Sequence, residues 1–472
     1  MDLKIQKKFE TEKGKPCILV DGHKYREFNV LKKCGSIRYR CTNKNCSASL
    51  LVNKDVTIVI SMLNDHNHDV IAENIVSRQI INSRVKRKCE NDLLTRPNKI
   101  IRAELQNAEN DIELVHSDVR LWRKSMYDFR RKCMPKIPKN VEESNVQIFD
   151  RRENIISNTG ELFCHMETIS SPVMFTCATN LEILSRSSHI FADGTFSHSP
   201  KHYEQLYTIH ILQNGFYIPV VYCFLTSKST QTYIDMWLTI VQLCLKLTGI
   251  NLQLSLAQST FHFDFEKSIH NAVKEIFPNC RILACRFHLN QAWFRHIQKD
   301  SQLLNEYKSN SELGVWLKKF FALGFLPANL VENAFLYLIE NAPTSDFGFA
   351  DYLLKNYIET DAQFPPTLWA DKPSEEARTT NGPESFHMHY NSQFYTSHPS
   401  TFQVIHILLG IQTETYLKIN SIKRNEKNKL RKEQENNIKF IIDTWEKFKN
   451  NKISMNDYLQ AMGPRFCASR QM

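Results

Sequence analysis

The sequence predicts a multidomain chain in which a small β module and a basic helical region precede a larger α/β region. Three changes along the chain indicate this order. Short β-type runs fill residues 15–70, apolar residues at helical spacing fill residues 71–150, and strand-like and helix-like segments alternate from Glu161 onwards. A chain of 472 residues is long enough for about three domains.

Composition places the chain among globular proteins that contain free thiols. Hydrophobic residues make up 42% and aromatic residues 11% of the sequence, more than a disordered chain carries. The sequence has no run of about 18 apolar residues and no apolar signal core at its start, so we expect a soluble intracellular protein with no membrane partner. Thirteen cysteines, an odd number spread over a long chain, favour thiols and metal ligands over disulfides.

Positive charge is concentrated at the N-terminal end. Residues 1–150 contain 29 lysines and arginines against 20 aspartates and glutamates, which leaves 31 against 30 for residues 151–472. This asymmetry suits a module that binds a polyanion ahead of a nearly neutral second part. Many solvated surfaces are also basic, so the charge alone leaves both interpretations open.

The β module at residues 15–70 contains four residues of zinc-ligand type. Cys41 and Cys46 flank a four-residue turn, a spacing found in structural zinc sites. His66 and His68 are separated by one residue, and on an extended strand such residues point to the same face. We therefore predict a Cys₂His₂ structural zinc site, which would stabilise a domain too small to depend on its core.

Four short motifs give this module a resemblance to a known family. They are Gly22-x-x-Tyr25, Tyr39-Arg40-Cys41, Cys46-Ser47-Ala48-x-Leu50 and His66-Asn67-His68. Together they resemble the FLYWCH-type zinc finger, a relative of the WRKY and GCM DNA-binding folds, with Tyr39 where that family usually has tryptophan. The resemblance implies binding of DNA or of proteins. If the module binds DNA, the candidates for phosphate contact are Arg38, Arg40, Lys44 and Lys54.

Residues 71–150 form the predicted basic helical region and linker. Apolar residues recur at helical spacing over residues 71–104 and 112–133, and Pro97 is placed to open a second helix. The basic cluster at residues 84–88 is of nuclear-import or phosphate-binding type. A DNA-binding or assembly region and a solvated helical spacer both fit this pattern.

Three acids in the second part of the chain lie where a metal site needs them. Asp193 ends a short apolar run and is followed by Gly194, and Asp264 ends an aromatic-rich run. Glu384 follows Asn-Gly-Pro, so we expect it in the first turn of a helix, where the helix dipole favours negative charge. Any one of these acids alone is more typical of a turn or a cap. Three on separate elements favour a site for phosphoryl transfer with a divalent metal.

Electrostatics explains why such acids need a metal. Two carboxylates about 4 Å apart repel each other by roughly 4 kcal/mol at an effective dielectric constant near 20. Magnesium or manganese prefers oxygen ligands and removes this conflict. Two such ions can hold the attacking and leaving oxygens of an in-line displacement at phosphorus.

Secondary-structure signals around these acids are mixed. Strands are predicted at residues 173–176, 190–193, 205–212, 217–225, 260–263 and 281–285, and helices at residues 233–247 and 267–277. Residues 286–375 show several helical segments, and residues 411–472 read as a basic C-terminal helical tail. Trp293, Trp316 and Trp369 lie among helical spacings, which favours a core position over stacking on bases.

A second resemblance rests on motifs around the acids. They are residues 192–196 (ADGTF), 264–266 (DFE), 285–292 (CRFHLNQA) and 381–387 (NGPESFH). These resemble the transposases of Mutator-like elements (MULE). The resemblance implies a ribonuclease H-like domain over residues 160–410, with a helical insertion at about 286–375. It also implies that Asp193, Asp264 and Glu384 form a DDE triad and that the first and fourth strands lie side by side.

Cys285 and His288 match the Cys-x-x-His of the same family. Residues three apart share a face of a helical turn, so the pair is a candidate for binding zinc or for acting together near the triad. The alternative is a buried cysteine packed beside a hydrogen-bonded histidine.

From the sequence we therefore expect a nuclear, Mutator-like DDE transposase that acts on double-stranded DNA at transposon ends as a homo-oligomer. One alternative is a domesticated, transposon-derived protein that binds DNA or regulates transcription without cutting. Another is a nuclease that cuts DNA without joining strands.

Overall fold

The computed structural model describes residues 3–10, 14–31, 35–91, 95–107, 114–309, 311–374 and 381–468. The chain divides into two units, Met1–Lys136 and Ile137–Met472. Within the described ranges, no helix combines the length and the apolar character needed to cross a membrane.

The first unit begins with a six-stranded antiparallel sheet in which sequence neighbours pair. Its strands are β1 (Ile5–Glu10), β2 (Pro16–Val20), β3 (His23–Val30), β4 (Ile37–Cys41), β5 (Ser49–Val52) and β6 (Val59–Leu63). Tyr25 and Tyr39 fill its core, each with 1% of its surface exposed. Apolar and β-branched runs in the sequence at residues 16–20, 37–40, 49–52 and 56–60 predict β2, β4, β5 and β6, the last of them three residues too early, whereas β1 and β3 are not predicted.

The turn between β2 and β3 is encoded locally. Asp21 and Gly22 both have positive φ, 47° and 68°. Two-residue hairpin turns need this left-handed backbone, which glycine adopts freely and aspartate tolerates. Asp-Gly between two β-type runs is a turn signal in the sequence, and the structure confirms the turn that it predicts.

Three helices complete the first unit, namely α1 (Glu73–Asn91), α2 (Pro97–Gln106) and α3 (His116–Cys133). They enclose a small core that includes Val85, Trp122 and Met126. Pro97 begins α2, as predicted, because its missing N–H is not needed at the first helical position. The basic cluster at residues 84–88 is helical, and its Lys88 forms an ion pair with Glu104 at 2.6 Å.

The second unit is built on a seven-stranded mixed sheet. Its strands are β7 (Cys164–His165), β8 (Val173–Phe175), β9 (His189–Thr195), β10 (Gln205–Gln213), β11 (Phe216–Leu225), β12 (Thr260–Phe263) and β13 (Arg281–Ala284). Their order across the sheet is β13-β12-β9-β10-β11-β8-β7. Strand β10 runs antiparallel to both β9 and β11, whereas β12 runs parallel to β9 on one side and to β13 on the other. The predicted contact between the first and fourth strands, β9 and β12, is therefore observed.

Helices cover this sheet and build its core. They are α4 (Val141–Phe149), α5 (Ala178–Ser185), α6 (Thr230–Thr248), α7 (Leu252–Ser255), α8 (Lys267–Ile276), α15 (Asn381–Ser392) and α16 (Thr401–Lys423). Trp237 of α6 is fully buried with an edge-to-face contact to Phe261 of β12. Ser229 caps the start of α6, and Gly249 ends it with a positive φ of 73°.

A second core lies in the helical segment between β13 and α15. Its helices are α9 (Arg286–Gln298), α10 (Ser301–Lys308), α11 (Glu312–Lys319), α12 (Ala328–Glu340), α13 (Gly348–Leu353) and α14 (Pro366–Trp369), with a 3₁₀ segment at Phe320–Phe325 and a π-helical segment at Leu354–Ile358. Trp293, Trp316 and Trp369 are all buried in it, which confirms the core assignment over base stacking. Helices α17 (Lys432–Lys449) and α18 (Met455–Phe466) pack into the same core.

Candidate metal centres

The first candidate centre lies at one end of the N-terminal sheet. Cys41 ends β4, Cys46 lies in the following turn, and His66 and His68 come after β6. One ligand atom from each residue lies within 4.8 Å of all the others. The closest approaches are 3.2 Å from Cys41 Sγ to His68 Nε2 and 3.4 Å from Cys46 Sγ to His66 Nδ1. Four such atoms at these separations suit tetrahedral zinc.

The two histidines reach this cluster in a way that the sequence did not predict. Both lie in an irregular segment after β6, and they do not share the face of a strand. His66 presents Nδ1 and His68 presents Nε2, with 3.3 Å between these atoms. The two rings present different nitrogens, and the irregular backbone positions the rings so that both nitrogen lone pairs can face one metal ion.

Neighbouring groups hold the remaining nitrogen of each ring. The Tyr25 hydroxyl lies 2.5 Å from His66 Nε2, and the Asp69 carbonyl lies 2.8 Å from His68 Nδ1. Such partners select the tautomer and the orientation of a metal-binding histidine. Burial, together with the nearby His23 and His68, lowers the pKa of His66 to about 4. The His66 ring is therefore neutral at pH 7, as a zinc ligand must be.

Arg38 and Arg40, two of the predicted phosphate contacts, lie along β4. Tyr39 between them is buried, so the two arginines share the opposite face of the strand. Arg40 stacks on the ring of Phe28, 3.5 Å from its centroid, and pairs across strands with Arg26, which the sequence analysis did not single out.

The other two predicted phosphate contacts are separated. Lys44 is exposed in the turn that precedes Cys46, and Lys54 is exposed in the turn between β5 and β6, at the other end of the strand pair. The four basic residues therefore follow the length of β4 and do not converge on one point.

The second candidate centre lies at the carboxyl ends of β9 and β12. Asp193 is near the end of β9, and Asp264 directly follows β12. The two strands pair in parallel with His262 opposite Phe191, and extending this register by two residues places Asp264 opposite Asp193. Burial, with the nearby charge of Asp193, raises the pKa of Asp264. A hard cation with a preference for carboxylate oxygens would relieve this repulsion, so the pair fits magnesium or manganese.

His387 holds Asp193 from the opposite side. Its Nδ1 lies 3.3 Å from Asp193 Oδ2, and its Nε2 lies 2.9 Å from the hydroxyl of Thr208. Thr208 also donates a hydrogen bond to the Asp193 carbonyl at 3.2 Å. His387 belongs to the motif at residues 381–387, but no role for it was predicted from the sequence. Its position three residues after Glu384, on the same face of a helix, indicates that both side chains can face the same site.

Glu384 lies in the first turn of α15, as predicted. Helix α15 packs against β9, β10 and β11. Its first turn approaches the sheet so closely that a Cβ atom on Gly382 would lie 2.1 Å from the Tyr217 ring. Glycine at position 382 therefore allows the first turn of α15, which contains Glu384, to pack closely against the sheet.

Glu384 lies closest to the Cys-x-x-His pair. Ligand atoms of Cys285, His288 and Glu384 all lie within 4.8 Å of one another. Among the described residues, Asp193, Asp264 and Glu384 do not form such a group. His288 links the two sets, because it interacts electrostatically with both aspartates. The structure thus brings the first two acids together and places the third beside Cys285 and His288.

The surroundings of His288 favour its charged form. Burial by itself lowers the pKa of His288, but the hydrogen bond to Cys285 and the charges of Asp193 and Asp264 outweigh burial and raise it to about 9. Cys285 caps α9, and its backbone N–H donates to the carbonyl of Phe263 at 2.7 Å. This bond ties the start of α9 to the end of β12.

Two family-model matches support a transposase-like or transposon-derived DNA-binding protein. Residues 9–68 match the family model of the FLYWCH zinc finger domain, and residues 189–292 match that of the MULE transposase domain. The chain therefore contains both domains that the sequence predicted. The first implies zinc at the Cys₂His₂ cluster. No curated protein matches the chain significantly.

Proposed function

We propose that the chain is a DNA transposase of the Mutator-like class that cleaves and joins DNA strands through Asp193, Asp264 and Glu384. The observation that carries this proposal is the pair of acids at the ends of the adjacent parallel strands β9 and β12. The strand order β13-β12-β9-β10-β11 is the one expected of a ribonuclease H-like domain, and its presence supports that assignment. The domain would span residues 160–410, with the helical segment at about 286–375 as its insertion.

The residues of the site would have separate roles in binding the metal and in positioning its ligands. Asp193 and Asp264 would hold magnesium or manganese, with Glu384 completing the ligand set. A bound ion of this kind supplies charge neutralisation and Lewis acidity at a phosphodiester. His387 and Thr208 would keep the Asp193 carboxylate in place. Water, and then a DNA 3′ hydroxyl, would be the nucleophiles, without a covalent enzyme intermediate.

DNA binding would come mainly from the first unit. The basic face of β4, with Arg38 and Arg40, supports contact with phosphates, and Lys44 and Lys54 would extend the contact to both ends of the sheet. The zinc at Cys41, Cys46, His66 and His68 would be structural. Action on two element ends implies a homo-oligomer, and action on chromosomal DNA implies the nucleus.

A second candidate function is a transposon-derived DNA-binding or regulatory protein that no longer cuts. One observation favours it: the match to the MULE domain ends at residue 292, so Glu384 lies outside the matched region. The two candidates share the zinc finger and differ only in the third acid and the chemistry that depends on it.

Strand cleavage and joining on DNA with the terminal inverted repeats that flank the coding region would separate the two candidates. With magnesium or manganese, the parent should cut, whereas Glu384→Ala and Asp264→Asn should bind the same DNA without cutting. Glu275→Ala is a matched control, because Glu275 is an exposed acid on α8. Binding without cutting by the parent would favour the second candidate, and cutting that persists in Asp264→Asn would reject the triad.

A further inference from the structure

The thiol, imidazole and carboxylate of Cys285, His288 and Glu384 form a set of donors that differs in kind from the aspartate pair. Cys285 is 2% exposed, and the three ligand atoms lie within 4.8 Å of one another. Two of the donors come from the first turn of α9 and the third from the first turn of α15. The three donors therefore come from the N-terminal ends of two helices, α9 and α15.

The chemistry of these donors selects the metal. Thiolate and imidazole ligands favour zinc, whereas magnesium and manganese favour carboxylate and water. Zinc binding would displace the proton that His288 otherwise holds, as metal binding to histidine and cysteine does in general. Three protein ligands with an open fourth position are common in zinc sites that exchange a ligand. The buried Nδ1 of His288 has no hydrogen-bond partner among the described residues, so the ring has an unsatisfied polar atom.

We propose that Cys285, His288 and Glu384 form a second zinc site and that zinc bound there inhibits strand cleavage by keeping Glu384 away from Asp193 and Asp264. Glu384 is the only member common to the zinc set and the proposed triad. Zinc that holds the Glu384 carboxylate beside Cys285 and His288 would leave the proposed triad without its third ligand. Inhibition rests on the proposed cleavage activity, whereas zinc binding does not.

The metal content of the purified full chain tests binding without reference to activity. The parent should retain a second equivalent of zinc beyond that of the finger, and Cys285→Ser should lose only this second equivalent. Cys280→Ser is the matched control, because Cys280 is also buried, 3% exposed, and belongs to neither zinc set. Zinc bound only at the finger in the parent, or a second equivalent kept by Cys285→Ser, would overturn the proposal.

Cobalt provides a test that needs no variant. Cobalt added to the parent after removal of the second zinc equivalent, with the finger still filled by zinc, should produce a thiolate-to-metal charge-transfer band as the second site fills. This band reports directly on Cys285 even if Cys285→Ser does not fold. Binding of cobalt without such a band would exclude Cys285 as a ligand and overturn the proposed site.

Zinc titration of the cleavage reaction tests inhibition. With magnesium fixed and each rate normalised to that protein's rate without added zinc, Cys285→Ser should need at least about 100-fold more zinc than the parent for half inhibition. Equal sensitivity of the two proteins would overturn the inhibitory role. An absence of cleavage in every protein would contradict the proposed function instead, and the metal content and cobalt band would still decide whether the site binds zinc.

Discussion

The two candidate metal centres of this chain are built in opposite ways. The ligands of the finger lie between Cys41 and His68, on one small sheet and its loops, whereas Asp193, Asp264 and Glu384 come from two strands and a distant helix. The finger has only a small apolar core, so its metal is part of its folding. The acids instead belong to the second unit, whose sheet has a large apolar core. The comparison separates a site whose ligands come from one short segment from a site whose residues come from distant parts of the chain.

Loss of a finger ligand should have the largest effect. Structural zinc contributes about 10–16 kcal/mol of binding free energy in small fingers, so Cys41→Ser should unfold the N-terminal sheet and leave the second unit folded. Zinc content and hydrogen exchange resolved along the chain would measure this. Cys17→Ser is a matched control, because Cys17 is buried in the same sheet outside the ligand set. Stoichiometric finger zinc in Cys41→Ser would reject the ligand assignment.

A methyl group at Gly382 should disturb the second centre through its geometry. Gly382→Ala would push the first turn of α15 away from Tyr217 and displace Glu384. A displacement of about 1 Å at a catalytic group costs about 100-fold in rate, so cleavage should fall by that order. Gly410→Ala is the control, because no atom lies within 4 Å of the Cβ position there. Equal rates for the two variants would show that the approach of α15 to the sheet does not matter.

The Tyr25 hydroxyl should matter for zinc affinity and much less for folding. Tyr25→Phe removes the group that lies 2.5 Å from His66 Nε2, and loss of such a partner typically weakens metal affinity by about 10–100-fold. Competition with a zinc chelator would measure the change. Tyr39→Phe, at an equally buried tyrosine of the same sheet, should leave the affinity unchanged. Equal zinc affinity in Tyr25→Phe and Tyr39→Phe would show that the Tyr25 hydroxyl does not contribute to zinc binding.

The smallest effect should be a gain in stability at the acid pair. Because burial and Asp193 raise the pKa of Asp264, ionised Asp264 destabilises the metal-free fold at neutral pH. Asp264→Asn should therefore raise the Tm by a few degrees at pH 7. The difference should shrink as the pH falls through the raised pKa, because the parent carboxyl then becomes neutral. A lower Tm for Asp264→Asn at pH 7 would contradict this prediction. It would show that the acid pair, like the finger ligands, contributes to the stability of the fold.

Local patterns in the sequence predicted the positions of most secondary-structure elements and the four candidate ligands of the finger. Apolar runs that end in an acid predicted β9 and β12, and Pro97 predicted the start of α2. Strand β3 was missed because its sequence is mostly polar, and pairing with β2 and β4 imposes its conformation. Propensity contains no information about such partners.

Contacts between distant segments could not be predicted in the same way. The sequence contained Cys285, His288 and Glu384 as parts of separate motifs, but the close approach of Glu384 to the other two depends on how α15 packs over the sheet. The role of Tyr25 likewise depends on the loop that brings His66 back to β3. Both are properties of the folded chain, and no local pattern encodes them.

The packing of α17 and α18 has a consequence for synthesis on the ribosome. Tyr458 of α18 is fully buried in the helical core and donates a hydrogen bond to the Phe325 carbonyl at 2.7 Å. Residues translated early in that core must therefore wait for more than 100 later residues before their apolar surface is covered. During this interval a nascent chain would present an uncovered aromatic surface to chaperones. A premature stop before α17 would leave that surface exposed and would favour degradation of the truncated product.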